Sequence, residues 1–269
     1  MTEYLYQRVE NTFTPTPVTG SPWHPSLLHG GAVSALFGQI ISEQAELHPA
    51  FIVNRVTMNL LRPVPLQPLT VTHQWLREGN RLRLLQVSMF AGDRLVAQAE
   101  ALLQKMTAVT LPDYAPRPAA APQGPEGLPI QSIQKMLDDK GLSIPPGFHT
   151  RLEVREVTPW NEQGATTAWV RMPLHILEGL PLNPLSQVCM LSDMGNGTGQ
   201  LHLSGEVGCI NADINLFLFR YPRSGWLCLS SDAQLSEQGC GVVHTRLYDS
   251  EGEIGHVLQS VQANGEFNG

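Results

Sequence analysis

The sequence is poor in charge and in the features that mark nucleic-acid-binding and membrane proteins. Only 15% of its 269 residues are charged, and the net charge is −7. Proteins that bind nucleic acid or an anionic membrane surface through phosphates carry a basic excess, so neither is an expected partner. No apolar run reaches the roughly 18 residues that span a bilayer as a helix. The N-terminus has no basic region followed by an apolar stretch, so we expect no secretory signal.

Cysteine is scarce, and metal-binding patterns are missing. No two cysteines form a C-x-x-C pair, so we expect free thiols in a cytoplasmic protein. His24 and His29 lie close in sequence, but no cysteine or carboxylate pair nearby completes a zinc set. We therefore predict no metal and no cofactor. The four cysteines are Cys189, Cys209, Cys228 and Cys240.

The motifs of several common catalytic folds are absent as well. The chain has no G-x-S-x-G elbow, which argues against an α/β-hydrolase. The Gly-rich segment 195–199 has neither the preceding strand nor the following helix of a nucleotide-binding loop. A nucleophilic pair of Cys189 with a histidine stays open, although cysteines in apolar helices mostly serve in packing.

Proline, by contrast, is concentrated in one place. Six of the 21 prolines lie between residues 112 and 129. So many prolines exclude a helix interior or a central strand, which predicts a linker at about 112–128. A short helix is expected after it, with an apolar face made by Ile130, Ile133, Met136 and Leu137. The expected organisation is an N-terminal domain at 1–111, a linker and short helix at 112–144, and a C-terminal domain at 145–269.

Each half shows a helix pattern followed by strand patterns. Residues 30–47 are apolar on most sides of a helix, which indicates a buried helix. In the second half Asn183 and Pro184 form a typical helix start, and the helix decays in the Gly-rich 195–199 segment. Strand-like runs separated by turn signals follow each helix, at 51–61, 69–76, 82–90 and 95–103 in the first half and at 209–219, 226–235, 242–248 and 254–261 in the second.

The two halves overlay at a nearly constant separation. The element around Arg62 matches the one around Arg220 at 158 residues, and two later turns match at 160. We therefore predict a tandem duplication of one α+β unit. In each unit a long helix would lie in the concave face of a curved antiparallel sheet. Two such units joined edge to edge would cover two exposed sheet edges.

Six short segments follow one another along the chain: Leu28-His29-Gly30-Gly31-Ala32, Leu60-Leu61-Arg62-Pro63, Arg77-Glu78-Gly79-Asn80, Leu191-Ser192-Asp193, Asn211-Ala212-Asp213-Ile214-Asn215 and residues 252–259. With these segments in this order, the sequence resembles the double hotdog acyl-CoA thioesterases, the family of bacterial thioesterase II. The resemblance spans most of the chain and implies a tandem hotdog fold, with a long central helix in each half wrapped by a curved antiparallel sheet. The segments that carry it are 28–32 (family F-G-G-Q), 60–63 (F-L-R-P), 77–80 (R-D-G-N), 191–193 (the helix segment with the catalytic Asp), 211–215 (T-I-D-H-S) and 252–259 (the last strand, with a catalytic Gln).

The resemblance places the family's catalytic trio at Asp193, Asn211 and Gln259. Asp193 would deprotonate a water that attacks the thioester directly, and the two amides would hold that water. Asn211 stands where the family has Thr, and an amide can both donate and accept a hydrogen bond. The first half has Val53 and Ala99 at the positions matching the two amides, which fits a single active centre. Taken without the family, each of the three is also typical of a solvent-facing residue.

The thioester carbonyl would face backbone N–H groups at a helix N-terminus, where the helix dipole favours negative charge. We hypothesise that His29, Gly30 and Gly31 bind the substrate in this way. Glycine permits a thioester to approach the backbone closely.

The function implied is hydrolysis of a fatty acyl or related thioester to the free acid and CoA. The partner would be acyl-CoA or an acyl-carrier-protein thioester, and analogy implies a homo-oligomer. Two other functions stay open. One is a non-hydrolytic acyl-thioester-binding protein, which the amide at Asn211 favours. The other is a hotdog enoyl-CoA hydratase or dehydratase, whose D-x-N-P-x-H element is matched here only by Asn183 and Pro184.

Overall fold

One continuous β-sheet runs through both halves of the molecule. The computed structural model describes residues 3–135, 145–160, 163–199 and 208–264. Within them fifteen strands belong to this sheet. The strands of the first half are β1 (Tyr4–Val9), β2 (Thr12–Pro15), β3 (Phe51–Asn59), β4 (Leu69–Glu78), β5 (Leu82–Ala91) and β6 (Arg94–Lys105).

The second half contributes nine described strands. They are β7 (Gln131–Ser132), β8 (Glu153–Thr158), β9 (Ala165–Arg171), β10 (His175–Leu177), β11 (Gly208–Asn211), β12 (Asp213–Leu218), β13 (Leu227–Leu235), β14 (Cys240–Asp249) and β15 (Gly252–Asn264). Across the sheet the strands follow the order β10-β1-β2-β4-β5-β6-β3-β12-β15-β14-β13-β9-β8-β7, with β11 paired to β15 beside this path. The run predicted at 209–219 is thus two strands, which separate at Ala212. The strands β1, β2 and β7–β10 were not predicted, because most of them are short and lack a clear alternation of apolar and polar residues.

The two halves differ in their helices. The first contains α1 (Gly30–Glu46), a helix of 17 residues that is buried along most of its length. The second contains α2 (Pro184–Ser192), with nine residues, and the single-turn α3 (Gly195–Thr198). The prediction of a long helix therefore matches the first half only. Three glycines in 195–199 disfavour a continued helix, so α2 ends where they begin.

Two strand pairings join the halves. Strands β3 and β12 pair antiparallel, with Asp213 opposite Asn59 and Phe217 opposite Arg55. Strand β1 pairs in parallel with β10. The inner edges of both halves are therefore covered, since each supplies the hydrogen-bonding partner of the other.

The proline-rich segment lies against the second half of the chain. Residues 106–130 form neither helix nor strand, as the prolines predict. The Gln123 carbonyl accepts a hydrogen bond from the Trp169 indole at 2.7 Å, and the Pro125 carbonyl accepts one from Arg155 at 2.6 Å. Residues 133–135 are helical, and Met136 and Leu137 of the predicted short helix lie outside the described residues.

Helices α1 and α2 pack directly against each other in opposite directions. Gly30 and Gly31 lie against Asp193 and Met190 at the C-terminal end of α2, and Gly38 lies against Cys189 and Ser186 nearer its start. A Cβ atom at Gly38 would lie 2.7 Å from the Cβ of Cys189, so glycine permits this close approach. The packing brings the start of α1 to the end of α2.

None of the helices in the described residues is long and apolar enough to span a bilayer. All four cysteines are free, as expected, and Cys240 is exposed while the other three are buried.

Candidate active site

His29 caps the start of α1. Its backbone is extended (φ −70°, ψ 142°), and its Nδ1 accepts a hydrogen bond from the Gly31 N–H at 3.0 Å. The same Nδ1 lies 3.0 Å from Oδ2 of Asp193. An imidazole nitrogen has one in-plane position for either a lone pair or a proton. The His29 Nδ1 therefore either accepts from Gly31 or donates to Asp193, and one proton separates the two arrangements.

Asp193 is buried at the end of α2. It is the C-cap residue of that helix and only 7% of it is exposed, so the alternative of an exposed carboxylate within a helix is wrong. Its Oδ1 accepts a hydrogen bond from Nδ2 of Asn211 at 2.9 Å. Its Oδ2 faces His29. The carboxylate is thus held between the N-terminus of α1 and strand β11.

Two glycines at the start of α1 admit the groups packed on them. A Cβ atom at Gly30 would lie 2.7 Å and 2.8 Å from the two carboxylate oxygens of Asp193. A Cβ atom at Gly31 would lie 2.5 Å from the ring of Phe148. Glycine is therefore required at these two positions because Asp193 and Phe148 pack closely against the helix backbone. The sequence predicted a substrate-binding role for these glycines and did not predict this packing.

Asn211 and Gln259 direct their amide nitrogens towards Asp193. Gln259 Nε2 donates to the backbone carbonyl of Asp193 at 3.4 Å. The amide of Gln259 packs against Gly195, where a Cβ atom would collide with it. Oδ1 of Asn211 and Oε1 of Gln259 are both buried, and neither has a hydrogen-bond partner among the described residues. The site therefore contains two unpaired acceptors beside a carboxylate.

All six residues predicted for the site come together. Asp193 contacts His29, Gly30, Asn211 and Gln259, and Gly31 joins them through its hydrogen bond to His29. The first half supplies the helix N-terminus and the second half supplies the carboxylate and the amides.

Two further residues of the site carried no signal in the sequence. Phe148 and His149 lie in a short 3-10 helix, Phe148–Arg151, and both rings stand beside His29, with centroids 4.8 Å and 6.1 Å from it. The pKa of His149 is lowered to about 4, first by burial and second by the charge of His29. Neither residue belongs to a periodic pattern or a motif, so tertiary packing alone brings them here.

Cys189 is not arranged as a nucleophile. It is fully buried against Gly38, and burial raises the pKa of its thiol to about 12. A thiol must ionise to act as a nucleophile, so this one is inert at neutral pH. Within the described ranges no three His, Cys, Asp or Glu side chains are grouped to hold a metal ion.

Comparison with family models identifies the chain. The model of the acyl-CoA thioesterase C-terminal domain matches residues 115–263, and that of the N-terminal domain matches residues 19–105. This chain belongs to the acyl-CoA thioesterase family. The resemblance to thioesterase II read from the sequence is therefore confirmed. No curated protein matches this thioesterase-family chain significantly.

Solved structures confirm the hotdog fold. A candidate thioesterase from Novosphingobium aromaticivorans is 21% identical, with a TM-score of 0.71 over 97% of this chain and 99% of that one. Acyl-CoA thioesterase II from Mycobacterium marinum is 17% identical, with a TM-score of 0.64 over 96% and 95% of the two chains. A hotdog-fold protein of unknown function from Alicyclobacillus acidocaldarius is 14% identical, with a TM-score of 0.70 over 97% and 96%.

Proposed function

We propose that this chain hydrolyses fatty acyl or related acyl thioesters of CoA by direct attack of water, with Asp193 as the general base. The observation that carries the proposal is the buried Asp193 carboxylate, held by His29 and Asn211 beside two unpaired amide oxygens. An acyl-carrier-protein thioester is the second substrate form that the same chemistry would accept.

The amide oxygens fit the needs of a nucleophilic water. A water that attacks a carbonyl carbon directs a lone pair at that carbon and donates its two hydrogens elsewhere. One hydrogen would go to Asp193, which takes the proton as the C–O bond forms. The other would go to Oδ1 of Asn211 or Oε1 of Gln259, the acceptors left unpaired at the site. Holding both hydrogens aligns the water before attack.

His29 would stabilise Asp193 before and after this proton transfer. While Asp193 is ionised, the His29 Nδ1–H can donate to it across 3.0 Å. Once Asp193 has taken the proton of the water on another of its lone pairs, Oδ2 can still accept from the same His29 Nδ1–H, so the hydrogen bond persists. When the C–S bond breaks, the proton held by Asp193 is available to neutralise the CoA thiolate. The products are then the acid and the CoA thiol.

The carbonyl oxygen would lie at the start of α1. The N–H groups of Ala32 and Val33 donate to the backbone oxygen of His29, and the Gly31 N–H donates to the His29 Nδ1 only while that nitrogen carries no proton. The Gly30 N–H has no acceptor among the described residues. It can therefore donate to the oxyanion, at the helix end where the dipole favours negative charge.

We also propose that the two halves are the two units of a tandem hotdog, at 1–111 and 145–269, joined by 112–144. Adding the 158-residue separation to β3 gives the β11–β12 region, and these matching strands are the ones that pair at the junction. The family models divide the chain in a compatible way, between residues 105 and 115.

The test is release of CoA thiol from acyl-CoAs of several chain lengths by wild type, Asp193→Asn and a control, Asp232→Asn, which changes an exposed strand carboxylate. Asp193→Asn should lower kcat about 1,000-fold, and the control should leave it unchanged. Equal activity of wild type and Asp193→Asn would refute the site.

Absence of turnover by wild type on acyl-CoA and acyl-carrier-protein thioesters would refute hydrolysis. The two functions left open by the sequence then separate by experiment. Binding of a thioester without turnover would indicate the binding protein, and hydration of an enoyl-CoA would indicate the lyase. In this structure Asn183 of the N-P pair caps α2 and donates to Gln39 at 3.1 Å, which gives it a structural role.

A further inference from the structure

His149 is a buried polar residue beside the site, and in the part of the chain that the structure describes it has no hydrogen-bond partner. Only 9% of it is exposed, and both of its ring nitrogens are buried and unpaired. A neutral imidazole carries one N–H and one lone pair, and leaving a buried polar atom unpaired costs about 1–3 kcal/mol. Other histidines of this chain do have partners, as His29 has Asp193 and His48 has Arg83. An unpaired buried donor indicates a ligand that completes it.

The short helix that carries His149 is fixed in place. The Phe148 N–H donates to the Gly20 carbonyl at 3.0 Å, and the backbone of Gly147 packs so closely on Gly20 that a Cβ atom would collide. The ring of Phe148 rests on Gly31, and Arg151 pairs with Glu3 at 2.8 Å. His149 is therefore held beside His29 by contacts on both sides, as a preorganised functional group must be.

His149 is a neutral donor over the pH range in which thioesters are hydrolysed enzymatically. Burial holds its pKa to about 4, and the charge of His29 adds to the effect. A neutral ring N–H can stabilise a developing oxyanion without transferring a proton to it. The other unpaired atoms of the site, Oδ1 of Asn211 and Oε1 of Gln259, are acceptors and cannot do so.

We infer that the ring N–H of His149 binds the carbonyl oxygen of the thioester and, together with the Gly30 N–H, forms the oxyanion hole. The inference rests on the proposed hydrolysis. Oxyanion holes gain most from more than one preorganised donor, and at the start of α1 the Gly30 N–H has no acceptor among the described residues in either protonation state of the His29 Nδ1. His149 supplies the second from a different segment, next to the residue that caps the same helix.

The first experiment compares kcat and KM of wild type, His149→Phe, His149→Gln and the control His48→Gln on the best acyl-CoA. His149→Phe fills the space without a donor and should lower kcat about 100-fold, with KM within threefold of wild type. His149→Gln keeps an N–H donor and should recover part of the loss. His48 follows the far end of α1, about 25 Å away, so its variant should match wild type. If His149→Phe fails to fold, His149→Gln and the affinity comparison decide.

The second experiment separates a catalytic role from a structural one. A trifluoromethyl ketone analogue of the acyl-CoA forms a hydrate that resembles the tetrahedral intermediate, and an S-alkyl-CoA thioether lacks the carbonyl oxygen. His149→Phe or His149→Gln should weaken binding of the ketone and leave the thioether within threefold of wild type. Equal weakening of both, a loss confined to KM, or an unchanged kcat would overturn the role of His149.

The same design distinguishes the two proposals. Wild-type turnover that Asp193→Asn removes and His149→Phe leaves intact would overturn the role of His149 alone. Absence of wild-type turnover would refute the proposed hydrolysis, and the ratio of ketone to thioether affinity would still decide whether His149 donates to the oxygen.

Discussion

The two ends of the α1–α2 pair have the same construction and different chemistry. At one end His29 caps α1 and contacts Asp193 of the second half. At the other end Asn183 caps α2 and donates to Gln39 of α1 at 3.1 Å. In each half the contacting residue follows the cap by ten positions, and each cap accepts a first-turn N–H. The pair is therefore close to symmetric in geometry.

The difference lies in which groups can exchange a proton. One end has an imidazole and a carboxylate, and the other has two amides, which do not titrate. The strand positions differ in the same sense, since Asn211 and Gln259 of the second half match the buried Val53 and Ala99 of the first. One end of the helix pair therefore has groups that can transfer a proton, and the other end has only amides that hold the helices together.

The largest expected difference between the two ends of the α1–α2 pair comes from adding a methyl group at each end. Gly30→Ala places its Cβ against the Asp193 carboxylate and should lower kcat about 100-fold. Gly38→Ala places its Cβ against Cys189 and should lower the free energy of unfolding by about 1–3 kcal/mol, with kcat per folded molecule unchanged. Urea unfolding and CoA release measure the two effects. A loss of kcat in Gly38→Ala as large as in Gly30→Ala would contradict the division of roles.

A second comparison concerns Arg62 and Arg220, which match each other in the predicted duplication. Arg220 pairs with the buried Asp249 at 2.6 Å, and Arg62 instead donates to the Leu95 carbonyl at 2.7 Å. Burial alone would raise the pKa of Asp249, but its hydrogen bonds with Arg220 and with the N–H groups of Arg223 and Glu251 outweigh burial and lower that pKa.

Because the folded-state pKa is lowered, this stabilisation is complete above the unfolded pKa of about 3.9 and is lost as the pH falls through the folded value. Asp249→Asn should therefore lower the free energy of unfolding by about 2 kcal/mol at pH 7. The difference in the free energy of unfolding between wild type and Asp249→Asn should shrink below about pH 4. Arg62→Gln is the control, and urea unfolding across pH is the measurement. A difference that stays constant with pH would contradict the assignment.

A third change replaces Asn211 by valine, the residue that stands at the matching position 53 of the first half. Asn211→Val removes the hydrogen bond to Oδ1 of Asp193 and should lower kcat about tenfold or more. Asn211→Thr restores the family residue and a hydroxyl donor, so we expect more activity than in Asn211→Val. Steady-state CoA release measures both. If the valine variant matched wild type, Asn211 would have no part in positioning Asp193 or the water.

The smallest expected effect is at the amide end of the helix pair. Asn183→Ala removes the acceptor for the Ser186 N–H and should lower the free energy of unfolding by about 1 kcal/mol, with kcat unchanged. Asn183→Ser keeps a capping oxygen and is the matched control. Thermal and urea unfolding report the difference between the two variants. A large loss of kcat in Asn183→Ala would show that this end takes part in catalysis.

Local signals predicted much of the fold. The apolar periodicity of 30–47 and the Asn183–Pro184 start located both main helices, because burial on most sides and capping leave direct traces in the sequence. The long strands after each helix were also found within a few residues. Strands β1, β2 and β7–β10 were missed, because most of them are short and lack a clear alternation of apolar and polar residues.

The candidate site was likewise predictable only in part from the sequence. The family resemblance predicted Asp193, Asn211 and Gln259 as the catalytic residues, and the structure brings the three side chains together. The contact of Asp193 with Gly30, and the positions of Phe148 and His149, depend on how α1, α2 and the short helix pack together. No pattern in the sequence near residue 148 encodes that packing.

The parallel pairing of β1 with β10 has a consequence for synthesis of the chain on the ribosome. Tyr4 pairs with His175, so the partner of the first strand emerges 171 residues later. At about 5–20 residues per second, the delay is roughly ten to thirty seconds. During that time the exposed edges of β1 and β3 lack their second-half partners, and the glycines of α1 lack α2. We therefore expect chaperones to bind the nascent first half until most of the second half has been translated.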